Sequence, residues 1–437
     1  MSDINKFLKD KKLLILGGVF QHCSLVHEAH KHGVKVVVTD YLDVEKAPAK
    51  QIADIHWMCD IFDVNAIVEK CKQEGIDGVI STSLDACQKP YQQICEKLGL
   101  PCFGNKKQFD ILTNKKKFKE YLLKNDLEII RQYKEEDFIY TNEINNCIEF
   151  PILVKPTDSR GSRGQTVCNN FEEVIKGIAV AKKESATNEV IIEHYMHGYD
   201  DFSIAAIVIN SIVYPIAITD RFLGDVEDGL EKLAIGEFMP SKHANLYFNN
   251  VHMHVQKFVN DIGLVNAPIF MQGFIDKDTI KFYDPGLRFP GDLSVAMFEK
   301  ITGKNVFRSL IEFALTGKIQ DENLNFKVED ALCMKKIGLQ ILPALRCGYI
   351  SEIKGLSAIK THPNIINVST RFNIGDYVEK TFNVNQRFCE IDIICQTSKE
   401  AKKIVDYIYD NLEVIDEFGN NMIISKLNTD IFIRYKH

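Results

Sequence analysis

Ile152-Leu153-Val154-Lys155-Pro156-Thr157-Asp158-Ser159-Arg160-Gly161-Ser162-Arg163-Gly164 is the stretch around which the rest of the chain can be arranged. It opens as an apolar strand, places a lysine at Lys155 and closes the helical option at Pro156, because a proline ring removes a backbone donor and clashes with the preceding turn. A small polar loop follows, with Ser159, Gly161, Ser162 and Gly164, and then a second β-like run, Gln165-Thr166-Val167. Two strands joined by a glycine-rich turn can fold over a polyphosphate. Gly161 and Gly164 let backbone N–H groups approach anionic oxygens, and Lys155, expected at a strand edge, adds a fixed positive charge. The plain alternative is an exposed hairpin loop with incidental basic residues, and the stretch alone leaves both open. It has neither the Gly-Lys-Ser/Thr that opens a phosphate-binding helix nor the Gly-x-Gly-x-x-Gly of dinucleotide sites.

The surroundings narrow the class. A chain of 437 residues has room for about two to four domains with ample core. Its 45% hydrophobic and 26% charged residues are ordinary for a globular protein. A net charge of -7 argues against a general nucleic-acid binder. No apolar run reaches the ~18 residues of a membrane span, and the start of the sequence shows no signal-peptide core. Twelve cysteines are scattered singly, without Cys-x-x-Cys. They read as reduced thiols of a cytoplasmic protein, with no cysteine metal site.

Before the quoted stretch, Lys12 to Gly18 is a short buried strand ending in glycines, Ser24 to Ala29 a helix and Val34 to Asp40 a second strand. This is a βαβ unit of a parallel sheet. Helix and strand signals continue through Ala66–Cys71, Gly78–Ser81 and Tyr91–Leu98, with Leu100 to Gly104 read as a last short strand. Residues 1–110 are therefore expected as an α/β domain. Asp40 could meet a ligand at the sheet end or cap a loop. Thr113 to Asn125 is a lysine-rich amphipathic helix. Lys115, Lys116, Lys117 and Lys119 read as a solvated face, except that Lys115 at the helix start could point to a bound anion.

After the loop come a helix (Phe171–Lys183), a strand (Val190–Met196), β-rich sequence to Pro215, a helix (His252–Ile262) and a hairpin across Asp276-Lys277-Asp278. The run Asp284 to Asp292 packs carboxylates and an arginine into an irregular segment, more than a plain connection needs. From about Phe326 short strands alternate with glycine turns around one helix, Lys399–Tyr409. The expected division is 1–110, 111–325 (with a flap subdomain at about 127–192) and a small α+β domain at 326–437.

Taken together, these features resemble the ATP-grasp superfamily of carboxylate-activating ligases, in the branch of biotin carboxylase, the carbamoyl phosphate synthetase large subunit and the L-amino acid ligases. The resemblance implies a fold of mixed α/β and α+β character, with a Rossmann-like pre-ATP-grasp domain, an ATP-grasp body and a small C-terminal domain. It also implies phosphate-binding lysines at Lys115 and Lys155, and a flap at Asp158 to Gly164 in which Ser159, Gly161, Ser162 and Gly164 cover the phosphates. Adenine contacts are implied around Glu193, Tyr195 and Met196, and a ribose-holding acid at Asp201. Mg²⁺, with Mn²⁺ as the alternative ion, falls to Asp284 and Gln272. The chain departs from the family pattern here, since Gly286 stands where a metal-binding Asn is usual and Asp284 is one methylene shorter than Glu.

Such enzymes turn a carboxylate into an acylphosphate that an amine or related nucleophile then attacks, mainly by positioning groups and neutralising charge. Lys155 and Arg288 are the implied catalytic residues, Arg288 holding the substrate carboxylate or acylphosphate; an ion pair with Asp284 or Asp292 is its structural alternative. The implied partners are a small carboxylate and an amine, with no nucleic acid or membrane, and a homodimer is compatible. Two other readings stand beside this one. The first is a nucleotide-binding protein of this fold without turnover, suggested by Gly286 and Asp284. The second is a nicotinamide-dependent oxidoreductase, disfavoured by the missing glycine turn.

Overall fold

The computed structural model describes residues 7–139, 148–158, 164–292, 294–319 and 325–435. Within them, strands Lys12–Leu16 (β1), Lys35–Asp40 (β2), Ile55–Met58 (β3) and Gly78–Ile80 (β4) form a sheet in the order β3-β2-β1-β4, with every pair parallel. The near-continuous apolar runs of β1 and β2 fit a sheet covered on both faces. β3 gives no such signal. Only Trp57 of its four residues is buried, and His56 and Met58 face solvent, as an edge strand allows. Leu100 to Gly104 is not a strand. Pro101 cannot donate to a ladder, and the Phe103 N–H bonds the Tyr91 hydroxyl instead. The segment leads into a helix the pattern did not reveal, Lys106–Thr113, opened by Asn105 and Gln108 in a reciprocal capping box.

Strands Gln132–Tyr133 (β5), Ile152–Pro156 (β6), Thr166–Cys168 (β7) and Val190–His194 (β8) make a small antiparallel sheet in the order β5-β8-β6-β7. The helix Phe171–Glu184 covers it, burying Val174, Ile178 and Ala181 on Ile152 and Val154. The strand carrying Lys155 is thus flanked on both sides rather than lying at an edge. The apolar run of 152–154 marks a strand but says nothing about how many neighbours it has.

The largest sheet has eight strands: Asp201–Ile209 (β9), Ile212–Leu223 (β10), Ala234–Met239 (β11), Ala267–Asp276 (β12), Thr279–Gly286 (β13), Ile337–Ile341 (β14) and two from further on. Ala344–Leu345 (β15), Gly348–Lys354 (β16) and Tyr377–Val378 (β18) belong to two minor sheets with Glu413–Asp416 (β20) and Ile423–Ile424 (β21). Ile365–Thr370 (β17) and Cys389–Cys395 (β19) complete the large sheet, whose order is β13-β12-β9-β10-β11-β14-β19-β17. The sheet therefore runs without a break across the position expected to divide the body from the C-terminal part, because β14 pairs with β11.

One row of this sheet is polar from strand to strand. Asp201 pairs in register with Arg221, Arg221 with Glu237, Glu237 with Gln340, Gln340 with Asp392, and Asp392 with Asn367. Neighbours one position away, such as Phe238, Leu339, Ile341, Ile391 and Ile393, point to the opposite face and build a core there. The eleven cysteines among the described residues are all free. No described helix is long and apolar enough to cross a membrane.

Candidate active site

The helix Lys115–Lys124 begins at Asn114, whose side chain accepts from the Lys116 and Lys117 backbone N–H groups. Its lysines do not share one solvated face. Residues four apart lie on the same side of a helix, so Lys115 and Lys119 turn inwards together while Lys116 and Lys117 pair outside with Glu189 and Asp110. Lys119 is only 1% exposed, which corrects the reading of the whole run as surface.

Two buried lysines, Lys119 and Lys155, and the half-buried Lys115 meet two carboxylates. Lys115 Nζ lies 2.7 Å from Asp284 Oδ1. Lys155 Nζ lies 2.5 Å from Glu193 Oε1, and Lys119 pairs with the other oxygen of the same carboxylate. Glu193 was read as marking an adenine-binding neighbourhood, but its own side chain is the counter-ion of the lysines. Although burial opposes it, Lys119 and Lys155 hold the Glu193 carboxyl below its usual range. Burial lowers the Lys119 ammonium to about 8, with Glu193 opposing and Lys155 and Lys115 adding to the fall. Against its own burial, the Lys115 ammonium is raised by Asp284. The three ammoniums outnumber the two carboxylates they pair with, and the Lys119–Glu193–Lys155 part is shut away from water, where unbalanced charge is costly.

These groups stand at one end of a cavity of about 300 Å³. Its walls include Lys115, Lys155, Glu193, Gln272 and Asp284 together with apolar Ile130, Leu153, Met196, Leu233 and Phe274. Tyr195 lines it as well, as does His194, whose Nδ1 is buried without a hydrogen-bond partner. Ser159, Gly161 and Ser162 lie outside the described residues. Gly164 lies within them and has φ +68°, a left-handed conformation; a Cβ there would meet Glu184 and Pro156 at about 3 Å.

Asp201, expected to hold a ribose, lines the cavity but is 3% exposed and already engaged. It accepts from Arg221 Nη1 at 2.6 Å and from the Tyr283 hydroxyl at 3.1 Å. Burial pushes its carboxyl up to about 6, against the pull of Arg221.

Arg288 takes neither of its expected arrangements. Its Nε donates to Asp85 Oδ1 at 2.6 Å, its Nη1 to the Phe289 carbonyl at 2.6 Å, and its guanidinium lies 4.3 Å from the centre of the Phe270 ring. The counter-ion is thus Asp85, from the loop after β4, and not the nearby Asp284 or Asp292. Spacing along the chain could not show this, because the two residues are 203 apart in sequence.

Gln272 and Asp284 are register partners on β12 and β13, so their oxygens share a face of the sheet. Gly286, two residues on, pairs with Phe270, and a Cβ at Gly286 would come within 2.5 Å of the Phe270 ring. The space where the family pattern has an asparagine side chain is taken by that ring. Lys119, Arg221, Tyr283 and Asp85 were not singled out from the sequence as site residues. Of these, Lys119 alone carried a signal, its four-residue spacing from Lys115.

Residues 114–210 match the model of the carbamoyl-phosphate synthase L chain, ATP binding domain. With the architecture above, this defines the class of fold: the chain has the ATP-grasp fold. Among curated relatives, formate-dependent phosphoribosylglycinamide formyltransferase of Prochlorococcus marinus is 28% identical over 205 residues, covering 45% of this chain and 50% of the relative. The chain thus matches about half the length of that relative. An L-amino acid ligase from Bacillus licheniformis superposes with a TM-score of 0.76 at 17% identity, covering 94% of this chain and 99% of that one. The biotin carboxylase domain of Hydrogenobacter thermophilus 2-oxoglutarate carboxylase, solved with MgADP and bicarbonate, gives 0.72 at 16% identity, covering 92% and 90%.

Proposed function

We propose that the protein is an ATP-dependent ligase that activates a carboxylate as an acylphosphate for attack by an amine or related nucleophile. The observation that carries this reading is the surplus of three lysines, Lys115, Lys119 and Lys155, over the two carboxylates they pair with, beside the Asp284–Gln272 pair at the wall of one cavity. An anionic co-substrate such as ATP offsets that surplus on binding. Lys155 and Lys115 then face its phosphates, Lys119 adds charge from behind through Glu193, and the apolar wall with Tyr195 and Met196 takes the base. His194 Nδ1, buried and without a partner, suits a polar edge of that base.

Mg²⁺, or Mn²⁺ in its place, would be held by Asp284 and Gln272, one anionic and one neutral oxygen donor. That small set fits an ion that keeps waters and phosphate oxygens as its other ligands. When bound, the ion supplies positive charge to the transferring phosphoryl group. The residues of the chain do the positioning. Lys115 bridges from Asp284 to the phosphates, and Arg288, fixed by Asp85 and Phe270, sets a positive charge behind the cavity wall that Asp85 forms.

The alternative of nucleotide binding without turnover is favoured by one observation, the Phe270 ring in the space beside Gly286, which leaves the metal pair without a third side-chain ligand. A screen of phosphate and ADP release over carboxylates, each with and without amines, separates the two. Release only when both substrates are present supports the ligase; tight ATP binding with no release under any pair removes it.

A further inference from the structure

The polar row of the large sheet contains a contact that the reaction proposed above does not use. Glu237, the residue of the row after Arg221, is 7% exposed. Its Oε1 accepts from Arg221 Nε at 3.3 Å, while no nitrogen or hydroxyl donor faces its buried Oε2. The group that does hydrogen-bond the Glu237 side chain is another carboxyl, that of Asp292 in the loop after β13. Two ionised carboxylates offer each other only lone pairs. A hydrogen bond between them needs a proton, so the pair shares one and carries a single negative charge.

The charges around the pair do not replace that proton. Arg221, on β10, is held by Asp201 at 2.6 Å. Arg387, from the loop before β19, spends Nε and Nη2 on the Ala234 carbonyl. On β14, Gln340 is neutral and donates to Asp392 at 2.9 Å. Asp392, on β19, is a further acid, and burial and then the charges of Glu390 and Asp292 raise its carboxyl. Glu390, two residues away, pairs with Arg371 at 2.7 Å. Asp292 itself accepts from the Ser294 N–H at 2.8 Å.

Asp292 also ends a segment that joins the two larger parts of the molecule. At the start of that segment Arg288 donates to Asp85 and the Phe289 N–H to the Thr82 carbonyl, both in the loop after β4. Gln21, from the first glycine turn, donates to the Gly291 carbonyl at 2.9 Å. We propose that the proton shared by Glu237 and Asp292 is a latch that fastens the segment 287–292 to the large sheet, and that its loss to solvent frees the end of the segment. Glu237 and Asp292 are thus positioning residues, acting through the segment on Arg288 and on the cavity wall at Asp85. Asp292 is half-buried and gives the proton its way out. Once it has left, two adjacent anions face each other while Arg221 and Arg387 stay engaged elsewhere, and they repel. Burial, with Asp292 beside it, pushes the Glu237 carboxyl up to about 8, so the latch is closed at neutral pH and opens as pH rises past that value. The inference does not depend on which reaction the cavity performs.

The test is hydrogen–deuterium exchange of the full chain, without nucleotide, from about pH 6 to about pH 9, with every rate corrected for the intrinsic effect of pH on exchange. Peptides covering 287–292 include the Leu287 and Phe289 N–H groups, both hydrogen-bonded to the loop after β4 or the helix that follows it. Their protection should fall by roughly tenfold across this range, while peptides of β1 keep theirs. In Glu237→Gln an amide stands where the protonated carboxyl stood and donates to Asp292 at every pH, so the profile should be flat. Asp292→Asn makes the same replacement from the other side, keeps an oxygen for the Ser294 N–H, and should give the same flat profile, which guards against a folding artefact at Glu237. Glu237→Ala, which cannot bridge, should show at neutral pH the fast exchange that the wild type reaches only at high pH. Protection that does not change with pH in the wild type, or a fall that persists in both amide variants, overturns the proposal.

Discussion

Two buried regions of the molecule pose opposite electrostatic problems with similar materials. At the end built by the helix Lys115–Lys124, β6 and β8, three lysines share the carboxylates of Glu193 and Asp284. Along the row from Glu237 to Asp392, acids outnumber the cations, and their partners are amides or arginines already engaged elsewhere. In neither place is the charge balanced within the chain. A pair that balanced itself would gain little from a ligand, while an imbalance fixed in a buried site favours one ligand sign over the other. The contrast can be broken or sharpened from either side.

The largest effect is expected at Glu193. Glu193→Ala leaves Lys119 and Lys155 buried without a counter-ion and should destabilise the fold by ~3–5 kcal/mol, read by urea unfolding. A loss below about 1 kcal/mol would mean that the lysines already find other partners or shed their protons.

Asp284→Asn should lower turnover by roughly a hundredfold or more, while ATP affinity changes far less because the lysines remain. Mg²⁺ titration with a slowly hydrolysed ATP analogue checks it. Metal binding as tight as in the wild type shows that Asp284 is not the ligand.

At the strand edge expected from the sequence, Lys155→Ala would remove charge without touching the fold. With Lys155 buried against Glu193, both should suffer. ATP affinity should drop by roughly tenfold to a hundredfold, and stability by ~1–2 kcal/mol, since Lys119 still pairs with Glu193. Nucleotide titration and urea unfolding on the same variant separate the two losses.

Gly286→Asn should not tighten metal binding. The new Cβ meets the Phe270 ring, at a cost of ~1–3 kcal/mol. Adding Phe270→Ala should make the asparagine better tolerated, a coupling that a double-mutant cycle of unfolding free energies measures.

A pH-dependent effect is expected at the acidic end. Burial, with Asp292 beside it, pushes the Glu237 carboxyl up to about 8. An acid raised in the folded state holds a proton that the unfolded chain has released. Stability therefore falls as pH rises from the ordinary glutamate range, about 4.3, towards 8, with a slope of up to ~1.4 kcal/mol per pH unit. In Glu237→Gln that contribution should vanish, which unfolding curves across this pH window would detect.

How much could be read from the sequence differs between the ends for the same physical reason. The lysine end is made of local signals. A strand followed by Lys-Pro and a glycine loop, a cap at Asn114, and a hairpin from 269 to 284 each announce themselves within about ten residues. The acidic end is made of single polar residues set in apolar strands, Glu237 in Ile-Gly-Glu-Phe-Met, Gln340 in Gly-Leu-Gln-Ile and Asp392 in Glu-Ile-Asp-Ile-Ile. Each is a visible oddity, but only strand order brings them into one row, and that order is set by long-range pairing. The same limit hid the partner of Arg288 and left Asp201 looking free. The turn of Lys119 into the core was legible from helical spacing; it was outweighed by the usual meaning of a lysine run.

The segment 287–289 is sewn to the loop after β4 by three bonds: Leu287 N–H to Gln88, Arg288 to Asp85, and Phe289 N–H to the Thr82 carbonyl. Each closes a span of about 200 residues. Closing so long a loop costs entropy that local contacts cannot return, so such links form late, after the pieces they join have already folded. The seam between these two parts is accordingly a late product of folding. A chain whose parallel sheet has formed but whose large sheet has not would hold Asp85 and Gln88 without the segment that carries Arg288. The Arg288–Asp85 pair is therefore a contact that only the assembled molecule makes.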